Sequence, residues 1–346
     1  MTNILLTIHS RLPHVHQILT GFSMLPSNSF QIVLDNRTDN ADNPDRELGF
    51  LTAKSDGMKI VYDVLDGYQW PDAMKRHLTD CDYYFKRSFS EKENTRLFPD
   101  LEHKIRPLGF NYHVTYPGNP LEDHINKRSL RSIAKNIAGL LESWQFTTGV
   151  FETPEPVRKE HGFRIIFYTR LWDPQDVSSE KEACERRDIT QVRIETIRQL
   201  RKAYPKEFRG GLSDTIYARQ VAPDLIVPAI RTARSNYLKE MRGADICIGT
   251  MGLHESIGWK TGEYVAAGKA IVHEIFGTTL PGDFCVEKNY LSFVSPEECV
   301  CAVDTLLNDP ERIYRMKCEN RSYYEAYLRP DNLVLNTLRT AGMMSC

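Results

Sequence analysis

Short apolar runs alternate along this chain with longer stretches in which apolar side chains recur every three or four positions. A continuous apolar run suits a strand buried on both faces, and the wider spacing suits one face of a helix. On that basis residues 3–8, 30–35, 59–65 and 83–86 predict strands. Residues 12–25 and 73–78 predict helices, the first stopped near Pro26. Strands separated by helices argue for βαβ units and a largely parallel sheet. Pro117, Gly118 and Pro120 then interrupt the pattern, and residues 129–141 have the spacing of an amphipathic helix. A charged, proline-containing stretch over 153–159 is where a domain boundary is expected.

Beyond it the pattern restarts. Residues 163–169, 224–228, 245–249 and 270–274 predict strands, and 235–242 and 263–267 predict helices, the latter stopped by Gly268. A longer helix is predicted over 189–203, with Val192, Ile197 and Leu200 on one face. From Pro296 onward the chain reads as mostly helical, through Leu306 and again over 312–327. The expected fold is α/β: two Rossmann-like, doubly wound lobes, 1–150 and 151–310, with a cleft between them. The helices of 311–346 are expected to pack back toward the first lobe.

Composition changes this picture little. The 346 residues are 41% hydrophobic and 26% charged, enough for two cores without disulfide staples. A net charge of −2 gives no general attraction to nucleic acid or anionic lipid, so any anion site must be local. Eight cysteines are scattered without a CxxC pair or zinc-ligand spacing, which points to reduced thiols in the cytoplasm. The opening MTNILLTIHSR lacks the basic start of a signal peptide, and no apolar run reaches the roughly 18–20 residues that span a bilayer. Contact with a membrane is therefore expected only from the side, as a peripheral protein.

The chemistry concentrates in residues 244–274, ADICIGTMGLHESIGWKTGEYVAAGKAIVHE. The segment reads strand, glycine-containing loop, helix, glycine stop, strand, with two glutamates eight positions apart. Gly249, Gly252 and Gly258 allow unusual backbone angles and close approach of a ligand to the main chain. The helix that follows turns its amides and positive dipole end toward the loop, which suits a diphosphate. Glu255 in the loop can accept hydrogen bonds from sugar hydroxyls, and Glu263 in the helix can bind a ribose diol.

Glu255-Ser-Ile-Gly-Trp-Lys-Thr-Gly-Glu263, followed by Tyr-Val-Ala-Ala-Gly-Lys-Ala-Ile-Val, resembles the E-x7-E donor-binding segment of GT-B-type, family-4-like glycosyltransferases. Glu263, Ala266, Gly268, Ile271 and Val272 match that pattern, and Ala270 departs from it where proline is usual. The resemblance implies that Glu255 faces the donor sugar, that Glu263 holds the nucleotide ribose, and that amides near Gly258 and Trp259 meet the diphosphate. Ser256 and His254 belong to the same loop, and Lys260 is read either as a solvated lysine or as a phosphate contact. Arg170, at the end of the strand Phe167-Tyr168-Thr169, stands where such proteins often carry a basic diphosphate ligand. The lysine they frequently add a few residues later is missing from RLWDPQD, leaving Lys260 or Arg231 to supply the second charge.

The first half is less legible. The loop His9-Ser10-Arg11-Leu12-Pro13-His14 lacks paired glycines, and His9, Arg11, His14 and His16 read as acceptor-side or as solvated turn residues. Asp66, after a strand and before Gly67, is a candidate acceptor-binding or catalytic base residue, with an Asp-Gly turn as the alternative. Lys86 and Arg87 place two cations at another strand end. No DxD pair stands in a suitable loop, so neither a metal nor a cofactor is expected. The expected activity is hexosyl or related transfer from a nucleotide-sugar donor to a glycan, lipid-linked or protein acceptor, with retention implied by the resemblance. A nucleotide-sugar epimerase and a non-catalytic nucleotide-binding interaction protein remain open on the same fold.

Overall fold

The computed structural model describes residues 1–121, 144–153 and 164–344. The expected helix at 129–141 and nearly all of the boundary stretch at 153–159 lie outside them. The chain divides into two compact units. One comprises Met1–Phe151, Gly277–Asp283 and Tyr324–Cys346, and the other Glu152–Phe276 and Phe284–Tyr323. The second therefore runs on through Tyr323, past the 310/311 division expected from the sequence.

The first unit holds strands β1 (Thr2–Ile8), β2 (Phe30–Asn36), β3 (Phe50–Ser55), β4 (Met58–Asp63), β5 (Tyr83–Lys86) and β6 (Ile105–Pro107). They form one sheet in the order β2-β1-β3-β4-β5-β6, parallel except where β3 runs against both neighbours. β3 was not predicted, yet its cue is present. Asp56 and Gly57, with φ of 47° and 84°, make the left-handed pair that a tight hairpin requires. Ile4, Leu6, Ile60 and Tyr62 face α1 (His16–Met24) and the terminal helix Pro330–Thr340. Phe50, Val61 and Tyr84 face α2 (Pro71–Thr79), with α3 (Glu91–Leu97) beyond it.

The second unit has five strands, all parallel. They are β7 (Ile165–Thr169), β8 (Phe208–Leu212), β9 (Ile246–Gly249), β10 (Ala270–Glu274) and β11 (Leu291–Phe293), in the order β11-β10-β9-β7-β8. Its longer helices are α4 (Glu180–Ala203), α5 (Arg234–Gly243), α6 (Trp259–Ala266), α7 (Pro296–Leu307) and α8 (Pro310–Tyr323). Ile165, Phe167, Ile246, Ile248 and Val272 pack on Ile197 and Leu200 of α4 and on Val303 and Leu306 of α7. The other face lies under α5, α6 and α8. Both units are thus mostly parallel α/β sheets with helices on both faces, the class the alternating pattern predicts.

Three boundaries differ from expectation for local reasons. α4 starts nine residues before the predicted 189, because Ser179 caps Glu182 N–H and Glu180 and Glu182 fill the first turn. Residues 224–228 are no strand: Pro223–Leu225 is a 3-10 turn, and only Ile226 bridges to Leu212. The edge strand is β8 instead, whose Gly210 and Gly211 weaken its sequence signal. α6 begins at Trp259, so Glu263 sits in the helix interior rather than at its start.

The first unit's two amphipathic helices meet at a glycine. A Cβ on Gly21 of α1 would lie 2.2 Å from the Pro330 carbonyl oxygen and 2.5 Å from Val334 Cγ2. On an exposed helix Gly→Ala is stabilising by up to about 1 kcal/mol. Here Gly21→Ala is expected to destabilise by about 1–3 kcal/mol through overpacking. Urea denaturation of the two proteins reads the difference, and a raised midpoint in the variant would contradict this close crossing.

Candidate functional site

In the second unit the chain runs from β7 through α4 to β8, then returns to the other side of β7 as β9. α4 covers one face, and α6, which follows β9, covers the opposite one. Strand order reverses between β7 and β9, and such a switch point opens a crevice at the carboxyl ends of the two strands. Residues 170–173 and 250–258 border it.

The second of these segments is a closed loop. Met251 bridges to Ile257, Gly252 N–H donates to the Ser256 carbonyl at 2.7 Å, and Ser256 N–H donates to the Leu253 carbonyl at 3.1 Å. Gly252 is required by this pinch, since a Cβ there would stand 2.8 Å from Ser256 Oγ. At the tip, His254 and Glu255 adopt φ of 60° and 55°. Left-handed backbone in such residues costs about 1–3 kcal/mol each, so the surroundings must hold it. Glu185 of α4 accepts the His254 N–H, and Glu274 accepts the Met251 N–H at 2.7 Å. The Glu255 carboxylate is exposed, with no hydrogen-bond partner among the described residues.

Arg193 ties the loop to β7. From the buried side of α4 it donates to Thr250 Oγ1 at 2.9 Å, the Met251 carbonyl at 2.9 Å and the Arg170 carbonyl at 2.7 Å. Burial lowers its pKa to about 9, against the pull of Glu274. Trp172 lies against both guanidiniums, 4.4 Å from Arg193 and 5.2 Å from Arg170. Arg193 and Trp172 escape motif matching, although an arginine in register with Thr190, Thr196, Ile197 and Leu200 interrupts an otherwise buried helix face.

α6 opens on this crevice with Gly258 as its N-cap and no side chain capping it. Gly258 has φ −65°, and no atom lies within 4 Å of where its Cβ would be. Neither backbone angle nor crowding within the protein requires glycine there. Lys260, in the first turn, is half-buried and lies over the Tyr237 ring at 5.4 Å. Burial lowers its pKa to about 8; Glu263 pulls it up, while Arg193, Arg170 and Arg234 push it further down. Four cations therefore surround a site in which Glu263 supplies the main opposing charge to Lys260. Glu263 itself is 2% exposed and pairs with Arg234 Nη1, while Tyr237 Oη donates to its other oxygen at 2.9 Å. Arg234 and Tyr237, on the first turn of α5, were not singled out in the sequence.

The loop and helix thus bring together Arg170, His254, Glu255, Ser256, Gly258, Trp259, Lys260 and Glu263, all in one unit. Asp66 belongs to the other unit, where Arg87 holds its carboxylate at 2.6 Å. Arg11 is likewise occupied, by Thr38 and Asp39 on the surface. Lys86 is fully buried, donating to the Leu65 carbonyl at 2.9 Å beside Asp63. Arg231, offered as a second basic ligand, is exposed near Tyr168 rather than in the set acting on Lys260. Among the described residues no group of three or more His, Cys, Asp or Glu could hold a metal ion, and no helix is long and apolar enough to cross a membrane.

No protein-family model matches the chain, and no curated protein matches it. Solved structures do. The C-terminal domain of LpcC, a glycosyl transferase group 1 family protein of Francisella tularensis, is 18% identical, with 52% of this chain and 96% of that one covered and a TM-score of 0.37. HepE of Anabaena, solved with UDP and glucose, is 12% identical, with 82% and 71% covered and a TM-score of 0.41. A glycosyltransferase of Rickettsia africae is 10% identical, with 82% and 69% covered and a TM-score of 0.46.

His9, His14 and His16, read from the sequence as acceptor-side or solvated turn residues, are half-buried. Burial lowers His9, His14 and His16 each to about 4, as it does His273 on β10. The unfolded chain takes up protons near 6.5, whereas the folded chain refuses them until about 4. The stability these groups contribute is complete above pH 6.5 and is lost as the pH falls toward 4. Urea midpoints are therefore expected to hold steady just above pH 6.5 and to decline between 6.5 and 4. A midpoint unchanged across that interval would contradict the assignment.

Proposed function

We propose that this chain is a glycosyltransferase that moves a sugar from a nucleotide-sugar donor to a glycan, lipid-linked or protein acceptor. One observation carries the reading. Arg170, Arg193, Arg234 and Lys260 act together at a helix N-terminus whose cap, Gly258, has open space where a side chain would stand. Serine or aspartate would cap that helix better, so glycine gives up local stability for close approach to the amides. A diphosphate fits both the charge and the donors. Glu255, exposed at the strained tip, is the group left to meet the sugar.

The chemistry follows from that arrangement. Breaking the bond between the anomeric carbon and the diphosphate oxygen leaves negative charge on the diphosphate and positive charge on the sugar ring. Fixed cations and helix amides stabilise the first without reorganising, and a carboxylate beside the ring stabilises the second. These groups belong to the protein itself, so the proposed transfer is metal-independent. Retention is proposed on the E-x7-E resemblance of residues 255–263. Asp66, held by Arg87, is not assigned a part in the reaction.

Calorimetric titration with nucleoside diphosphates and their sugars, alongside turnover, tests the reading. Gly258→Ala is expected to weaken both ligands while costing less than about 1 kcal/mol of stability. Arg170→Ala should lose about 1.5–3 kcal/mol of diphosphate affinity and little nucleoside affinity. Glu255→Gln should bind the diphosphate nearly as well as wild type yet turn over on the order of 100-fold more slowly. Full activity in Glu255→Gln would remove the donor-site assignment. Sugar release or epimerisation without an acceptor would favour an epimerase.

A further inference from the structure

The resemblance of residues 255–263 implies that Glu263 holds the donor ribose, but its surroundings are arranged for something else. The side chain is 2% exposed and both oxygens are engaged, one by Arg234 Nη1 and one by Tyr237 Oη. Tyr237 is itself buried, and burial together with Glu263 raises its pKa well above the usual phenol range. The phenol therefore stays protonated and donates. Arg234 is 22% exposed, ten times more open than the carboxylate it pairs with. Arg234 Nε and Nη2 are buried, and a ribose diol would have to replace the Arg234 and Tyr237 donors to engage the Glu263 oxygens.

We propose that Glu263 is a positioning residue that acts through Arg234: with Tyr237 it fixes the guanidinium as a ligand for the phosphates of the donor. The pairing is well suited to this task. One carboxylate oxygen on one guanidinium nitrogen fixes Arg234 at the first turn of α5 and compensates part of the charge that Lys260, one turn before Glu263 on α6, adds nearby. The hydroxyl bond from Tyr237 fixes the carboxylate in turn, giving a chain of three side chains of which Arg234 is the most exposed. Preorganisation of this kind raises affinity by removing the ordering a mobile arginine would require. The inference rests on reading the site as a diphosphate site, but assigns the glutamate to the phosphates rather than to the ribose.

Inorganic pyrophosphate, which has no ribose, separates the two roles. Pyrophosphate and a panel of UDP, GDP and ADP are titrated calorimetrically into wild type, Glu263→Gln, Arg234→Ala, the double variant and Tyr237→Phe, with circular dichroism to check folding. Glu263→Gln is expected to weaken pyrophosphate and the preferred nucleoside diphosphate by the same factor, about tenfold or more. The double variant should be no weaker than Arg234→Ala, because the glutamate acts through the arginine. Tyr237→Phe, which removes one hydroxyl and leaves the core filled, should weaken both ligands in the same proportion. Glu263→Gln that binds pyrophosphate like wild type while losing nucleoside diphosphate would overturn the proposal and leave the donor site standing. Additive losses in the double variant would overturn it too. Wild type that binds neither pyrophosphate nor any nucleoside diphosphate would remove the donor site along with it.

Discussion

The crevice of the second unit depends on one buried cation. Arg193 closes three acceptors at once, from the ends of β7 and β9. Without it the Met251 carbonyl and the Thr250 hydroxyl would lose this donor, and the Arg170 carbonyl would keep only the Thr169 hydroxyl at 3.5 Å; orphaning a buried polar group costs about 1–3 kcal/mol. A guanidinium suits the place better than an ammonium, because its planar fork reaches several acceptors in fixed directions. With its pKa near 9 it remains charged at neutral pH, and that charge falls inside the crevice it builds. One residue therefore fixes the loop's geometry and contributes to its potential.

With its ends fixed, the loop can hold a conformation its own residues disfavour. Two consecutive left-handed side chains at His254 and Glu255 would relax in a free peptide. Here the Gly252–Ser256 pinch, Glu185 and Glu274 close the loop from three sides. The strain turns the Glu255 carboxylate outward instead of letting it cap α6, whose N-terminal amides sit behind an uncapped glycine. The same loop thus presents an acid and a set of amide donors without allowing them to satisfy each other.

Much of this was readable from the chain and some was not, for identifiable reasons. β5 and β10 match their predicted bounds because continuous apolar runs flanked by polar residues have little alternative. β3 was missed although the Asp56-Gly57 turn marks it, and β8 because glycines fill its centre. The loop at 250–258 was legible as a segment, since glycines and glutamates have local signatures. Its charge partners were not. Arg193 lies 57 positions from Thr250, and Arg234 lies 29 from Glu263, and nothing local marks either as a neighbour. The occupied state of Asp66 is hidden in the same way, because Arg87 reaches it from the adjacent strand.

A chain with a net charge of −2 has nevertheless gathered four cations on one sheet edge. Burial, with repulsion from Arg193, Arg170 and Arg234 as a smaller contribution, lowers the Lys260 pKa to about 8. Folding accounts for two of them, since Arg193 holds the loop and Arg234 pairs with Glu263. Like charges at close range destabilise the fold, and hydrophobic residues of similar size would pack there without that penalty. On the proposed reading, a bound polyanion would add opposing charge to all four and raise the Lys260 pKa toward its ordinary value. Anion binding near pH 8 is consequently linked to proton uptake at Lys260.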